Sequence, residues 1–179
     1  MRGVVDVQSR KFTLHDLELV ASEVGAHNPD AVLFLHGAGQ TRHSWNGALR
    51  SLDEAGYHLL SLDQRGHGES DWAKNGDYSS DAFIGDLRQV IEQLDKPVFL
   101  AGASMGGLVS LMSVGEAPET PETLIRGLAL VDITPRIEPK GKTRVLGFMQ
   151  SSPNGFASVE EAAAAVSRYM PGRPPRRDL

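Results

Sequence analysis

Residues 102–106 read Gly102-Ala103-Ser104-Met105-Gly106, a G-x-S-x-G pattern. They follow the apolar run Pro97–Ala101 (PVFLA), which reads as a buried strand, and lead into Ser104–Gly115, which reads as a helix. A serine on a sharp strand-to-helix turn is pushed clear of the sheet, and small flanking residues let the backbone make the bend. The helix that starts there aims backbone N–H groups at the site and favours a developing negative charge. Ser104 is therefore the candidate nucleophile. The plainer alternative is a glycine-rich turn that only packs a helix on a sheet.

Working outward, strand and helix patterns alternate. Lys11–His15 and Leu17–Val24 suggest an opening antiparallel pair around the polar Asp16. Ala31–Leu35 (AVLFL) is apolar throughout, as in a strand covered on both faces. A short helix is expected near Ser44–Ala55, then a strand at His58–Leu62 (HLLSL) and the loop Asp63–Ser70 (DQRGHGES). Ser80 is the expected cap of the next helix, whose residues Phe83, Ile84, Leu87, Val90, Ile91 and Leu94 share one face. Leu128–Ile133 (LALVDI) is the sixth strand. This order predicts an α/β fold, a doubly wound and mostly parallel sheet with flanking helices. After Thr134 the pattern changes: Pro135, Pro139 and Gly141 break the chain, and helices follow at Thr143–Gln150 and Ser158–Tyr169. Ser158-x-x-Glu161 reads as a capping box.

His36-Gly37-Ala38-Gly39 follows the strand Ala31–Leu35, and a glycine-rich loop there can hold a backbone N–H toward the nucleophile. The N–H groups of Ala38 and Met105 are the candidate oxyanion hole. His36 reads as a loop-packing histidine rather than a base. A competing reading takes Gly37-Ala38-Gly39-Gln40-Thr41-Arg42 as a dinucleotide fingerprint with Asp63 as its ribose-binding acid, which would make the protein an oxidoreductase. Arg42 stands where that fingerprint needs a small residue, and the serine elbow would have no role in it. Trp45, Trp72 and Met105 are candidate pocket walls, with ordinary packing as the alternative.

The 179 residues carry 18 basic and 23 acidic side chains, a net charge of −5, which argues against a domain-wide surface for nucleic acid. The charge is split: 10 basic and 19 acidic over residues 1–135, but 8 and 4 over residues 136–179. Absence of cysteine excludes disulfides, thiolate metal ligands and a cysteine nucleophile. No H-E-x-x-H motif occurs, so no metal or other cofactor is expected. The opening MRGVVDVQSR lacks an apolar core and no apolar run reaches 18 residues, so the expectation is a cytoplasmic protein without a membrane partner.

HGAGQTRHSW, LSLDQRGHGESDW and AGASMGGLVS, in this order and spacing, resemble the alpha/beta-hydrolase superfamily. More narrowly, they resemble its esterase, non-haem peroxidase and epoxide-hydrolase-like branch. The resemblance implies a hydrolase core over residues 1–135 and the start of a helical cap over residues 136–179. It also implies that the loop holding His67 is structural, with pocket lining as that residue's alternative role. A serine at position 104 disfavours the epoxide hydrolases and haloalkane dehalogenases, which use an aspartate. The family runs nucleophile, acid, histidine, yet all six histidines here (15, 27, 36, 43, 58 and 67) precede Ser104. Asp132, after LALV, is a candidate acid, or else simply ends its strand. The resemblance thus implies a C-terminally incomplete fold, truncated before its last strands, with LALVDI near an uncovered edge through which the chain could self-associate. The expected function is serine-dependent hydrolysis of a small-molecule ester or related acyl substrate, esterase and peroxidase-type chemistry being indistinguishable. The alternative is a catalytically inactive truncated chain that acts by binding or has no function.

Overall fold

Side chains leave a strand alternately to opposite faces, and the strand Ala31–Leu35 (β3) shows what that does here. Leu33 and Leu35 enter one apolar cluster with Leu60, Leu62 and Leu100, while Phe34 enters another with Leu59 and Ala101. An apolar run of this kind has to be covered on both sides. The structure, a computed structural model, describes residues 5–115, 124–136 and 138–172, without the side chain of Lys142.

The remaining strands are β1 (Gln8–Thr13), β2 (Glu18–Val24), β4 (His58–Leu62), β5 (Val98–Ala103) and β6 (Ile125–Val131). The helices are α1 (Asn46–Leu52), α2 (Ser80–Leu94), α3 (Met105–Gly115), α4 (Pro139–Gln150) and α5 (Val159–Tyr169). The sheet runs β1-β2-β4-β3-β5-β6. β2 pairs antiparallel with both β1 and β4, and the remaining pairs are parallel. The doubly wound, mostly parallel sheet expected from the sequence is present. Phe83, Leu87, Val90, Ile91 and Leu94 of α2 and Val109 of α3 close the first face, and Leu49 of α1 sits on the second.

Local differences have local causes. β3 and β4 have the expected bounds. β6 starts three residues before Leu128 because pairing with β5 draws in Ile125, Arg126 and Gly127, the last two of which have a weak strand signal. It joins β5 through a register irregularity at Val98/Phe99 and stops before Asp132, whose φ of 51° turns the chain. Ser79 rather than Ser80 caps α2: its backbone is extended and its Oγ accepts the Ala82 N–H at 3.3 Å. The expected helix at Ser44–Ala55 is a short α1 between two 3₁₀ turns.

The chain divides into two compact units, Met1–Pro135 and Arg136–Leu179. The second holds α4 and α5. α4 starts four residues before Thr143, at Pro139, where a proline gives up no helical hydrogen bond. Ser158 caps α5 as expected, Oγ accepting the Glu161 N–H at 3.2 Å; the Glu161 carboxylate reaches one residue further, to the Ala157 N–H at 2.8 Å. The two helices meet through Phe148 and Tyr169, stacked with centroids 4.3 Å apart.

Candidate active site

Ser104 lies between β5 and α3 with φ of 48°, the left-handed region that residues with a Cβ rarely occupy. This is why the helix expected from Ser104 begins one residue later. Close backbone approach makes the turn possible. A Cβ on Gly106 would lie 2.5 Å from the Leu35 carbonyl oxygen and 2.7 Å from that of His36, and one on Gly107 would lie 2.5 Å from Ile133 Cγ2. A Cβ on Gly102 would collide with the backbone of Gly106 and Gly107. Hydrogen bonds fix the turn on both sides: the Ser104 N–H donates to Val131 O at 3.2 Å and the Gly106 N–H to His36 O at 3.2 Å. Ser104 is exposed.

The loop after β3 comes against this turn, since a Cβ on Gly37 would meet Ser104 Cβ at 3.4 Å. Within that loop the Gly37 N–H donates to Gln40 Oε1 at 3.1 Å, and the Gly39 N–H to His67 Nε2 at 3.2 Å. Among the described residues the N–H groups of Ala38 and Met105 donate to nothing. Ala103 faces Val131 in the register of β5 and β6, so Ser104 and Asp132 follow at neighbouring strand ends. Asp132 is exposed, with φ of 51°.

The histidines nearest the turn are both engaged. His36 is fully buried, with Nδ1 2.8 Å from Gly37 O and Nε2 accepting the Gln64 N–H at 3.1 Å. Burial pushes its ring below the ordinary histidine value; the Gly37 carbonyl opposes this and the neighbouring His67 ring adds to it. His67 is half-buried, its Nδ1 2.9 Å from Arg65 O.

Asp63, the residue a dinucleotide would need for its ribose, is wholly buried. It accepts the Arg42 N–H at 2.6 Å, the Glu69 N–H at 3.0 Å and the Arg42 guanidinium. Its carboxylate is spent on holding two loops together. Arg42, where the fingerprint wants a third glycine, is buried in the same pair. Nearby, Arg65 grips both Asp86 carboxylate oxygens at 2.6 Å, one through Nε and one through Nη2, and donates to Asp77 O at 2.8 Å. Sequence reasoning passed over both ion pairs. For the second a signal existed, because Asp86 interrupts the apolar face of α2 at helical spacing from Phe83.

Of the candidate walls, Trp45 lies tilted against Phe34, with centroids 5.0 Å apart, and packs partly buried against the second core cluster. Met105 packs partly buried against the first, and Trp72 is 73% exposed. No group of three metal-ligating side chains occurs among the described residues, and none of their helices is long and apolar enough to cross a membrane.

Residues 30–165 match the family model described as the alpha/beta hydrolase fold. The chain belongs to the alpha/beta-hydrolase family. It is 37% identical over 105 residues to an esterase of Mycobacterium tuberculosis, covering 58% of this chain and 33% of that protein. It is 35% identical over 120 residues to epoxide hydrolase 1 of Caenorhabditis elegans, covering 65% of this chain and 29% of that one. Among solved structures, an alpha/beta hydrolase from Novosphingobium aromaticivorans superposes with a TM-score of 0.77 at 24% identity, over 93% of this chain and 57% of its own. The chain therefore spans about a third of these two curated alpha/beta-hydrolase relatives and 57% of the solved structure.

Proposed function

We propose that Ser104 is the nucleophile of a serine hydrolase acting on a small-molecule ester or related acyl group. The observation that carries this reading is an exposed serine at φ 48° on a strand-to-helix turn, abutting a loop with an N–H that has no partner among the described residues. Backbone strain of this kind persists where the surroundings force it, and it clusters at functional sites. In the reaction, Ser104 Oγ attacks the acyl carbon and its proton leaves to a base. The carbonyl oxygen, now negative, is held by the Ala38 and Met105 N–H groups. Collapse expels the alcohol with a proton, and water then releases the acid. Water excluded from such a site would strengthen both hydrogen bonds to the oxyanion.

The reading assigns the base to none of these residues. No histidine follows Ser104, and His36 and His67 have both ring nitrogens bonded. Asp132, beside Ser104, is the proposed acid that would orient such a base. An ester rather than an epoxide is favoured by the serine hydroxyl at the turn, which suits acyl transfer.

A fluorophosphonate probe at high concentration and long exposure tests the assignment, because without a base Ser104 reacts slowly. Mass spectrometry should find one adduct, on Ser104, and none in Ser104→Ala. Unchanged labelling of that variant would overturn the proposal. Loss of the histidine from a serine triad costs on the order of 10⁶ in kcat. The 179 residues alone should therefore hydrolyse a p-nitrophenyl ester far more slowly than a complete serine esterase.

A further inference from the structure

Two loops meet beside Ser104, and each lends the other a histidine. In the loop after β3, His36 Nδ1 lies 2.8 Å from Gly37 O. A carbonyl can only accept, so Nδ1 carries the proton and Nε2 keeps its lone pair. That lone pair takes the N–H of Gln64, in the loop after β4, at 3.1 Å. The second loop repeats the arrangement in reverse. His67 Nδ1 lies 2.9 Å from Arg65 O, so its Nε2 is also an acceptor, and it takes the Gly39 N–H at 3.2 Å. The Gln64 side chain adds a bond to His36 O at 2.8 Å, and the two rings stand 4.9 Å apart.

Two N–H···N bonds running in opposite directions thus fasten residues 36–39 to residues 64–67. Within the first loop they leave a defined pattern. The Gly39 N–H is held by His67 and the Gly37 N–H by Gln40, while the Ala38 N–H between them has no partner among the described residues. We infer that His36 and His67 are positioning residues, a reciprocal pair of neutral acceptors that fixes residues 37–39 so that the Ala38 N–H is kept for the oxyanion. The inference rests on the Ser104 reading for the oxyanion but on these bonds for the clasp.

Protonating either ring would turn its acceptor nitrogen into a donor facing another N–H, and protonating both would place two cations side by side. The charged groups around the pair are Asp63, Arg42, Arg65 and Glu69. Asp63 and Arg42 are paired with each other, Arg42 also with Glu69, and Arg65 with Asp86. Of the first four, Asp63 is the one whose charge favours a protonated His36.

The test uses the ¹⁵N-labelled chain. An N–H···N hydrogen bond carries scalar coupling between its two nitrogens. The expected result is a coupling from Gly39 N to His67 Nε2 and another from Gln64 N to His36 Nε2. Each should vanish when acid protonates its ring, as reported by the ring nitrogen shifts. His67→Leu should slow fluorophosphonate labelling of Ser104 roughly 10- to 100-fold, the scale of a misplaced oxyanion donor. His67→Gln, whose Oε1 can accept the Gly39 N–H, should recover most of that rate. Missing couplings in the wild type with neutral rings would overturn the clasp, whatever the variants do. Labelling of His67→Leu at the wild-type rate would overturn the positioning role. Should Ser104→Ala label like the wild type while both couplings persist, the nucleophile reading fails and the positioning role with it, leaving a purely structural clasp.

Discussion

Replacing Gly106 by alanine adds one methyl group where α3 meets the end of β3. That carbon would sit 2.5 Å from Leu35 O and 2.7 Å from His36 O. Both are main-chain atoms of a fully buried segment, so neither can swing aside as a side-chain tip could. Overpacking of this kind costs about 1–3 kcal/mol. Alanine recovers up to about 1 kcal/mol through helix propensity, less in a first turn, which leaves net destabilisation of about 1–2 kcal/mol. Gly85 supplies the control. It lies inside α2, and a Cβ there would meet nothing within 4 Å. Gly85→Ala should therefore stabilise by about 0.5–1 kcal/mol, through propensity and a less flexible unfolded chain. Urea unfolding followed by circular dichroism would resolve the opposite signs. Fluorophosphonate labelling of Ser104 should slow in Gly106→Ala only, because the Gly106 N–H to His36 O bond must lengthen. Equal stabilisation by both substitutions would refute the claim that backbone contact between β3 and α3 forces glycine at position 106.

Asp63→Asn leaves the buried Arg42 guanidinium with only the exposed carboxylate of Glu69 as counter-charge, and a broken buried pair costs about 3–5 kcal/mol; a urea midpoint within error of the wild type would contradict this. Stability should fall as pH drops below 6.5. Burial holds His36 and His58 below that ordinary value, so the unfolded chain takes protons first, with a limiting slope of about 1.36 kcal/mol per pH unit for each ring. A second loss should follow below 4.5: burial raises the Glu23 carboxyl, but hydrogen bonds from Arg10 and His58 outweigh it and hold the group down. Denaturation midpoints that stay flat between pH 7.5 and 4 would count against both steps. Ser104→Gly should raise the melting temperature, because the left-handed conformation costs an L-residue about 1–2 kcal/mol and glycine returns only about 0.5–1 in entropy. Asp132→Gly should act in the same direction, since Asp132 has φ of 51°.

Most of the first unit was legible because its strands are short apolar runs closed by polar or glycine-rich turns. β3 and β4 came out residue for residue. β6 did not, since Arg126 and Gly127 carry no apolar alternation and are recruited only by pairing with β5. The serine turn was legible in one dimension because the glycines needed for close approach lie beside the residue they serve. The clasp was not: His36 and His67 are far apart in sequence, and which nitrogen of each accepts depends on carbonyls that the fold brings up. The Arg42–Asp63 and Arg65–Asp86 pairs were missed for the same reason, each joining residues 21 apart.

The sequence by itself determined the alternation of strand and helix, the position of the turn at Ser104 and the need for small residues around it, all consequences of local sterics and side-chain period. Tertiary structure alone decided that Gly37 abuts Ser104, that the Ala38 and Met105 N–H groups find no partner among the described residues, and that Asp63 is a buried brace rather than a ligand for ribose. Those outcomes depend on which hydrogen bonds remain once two distant loops have satisfied one another, and local sequence carries no record of that accounting.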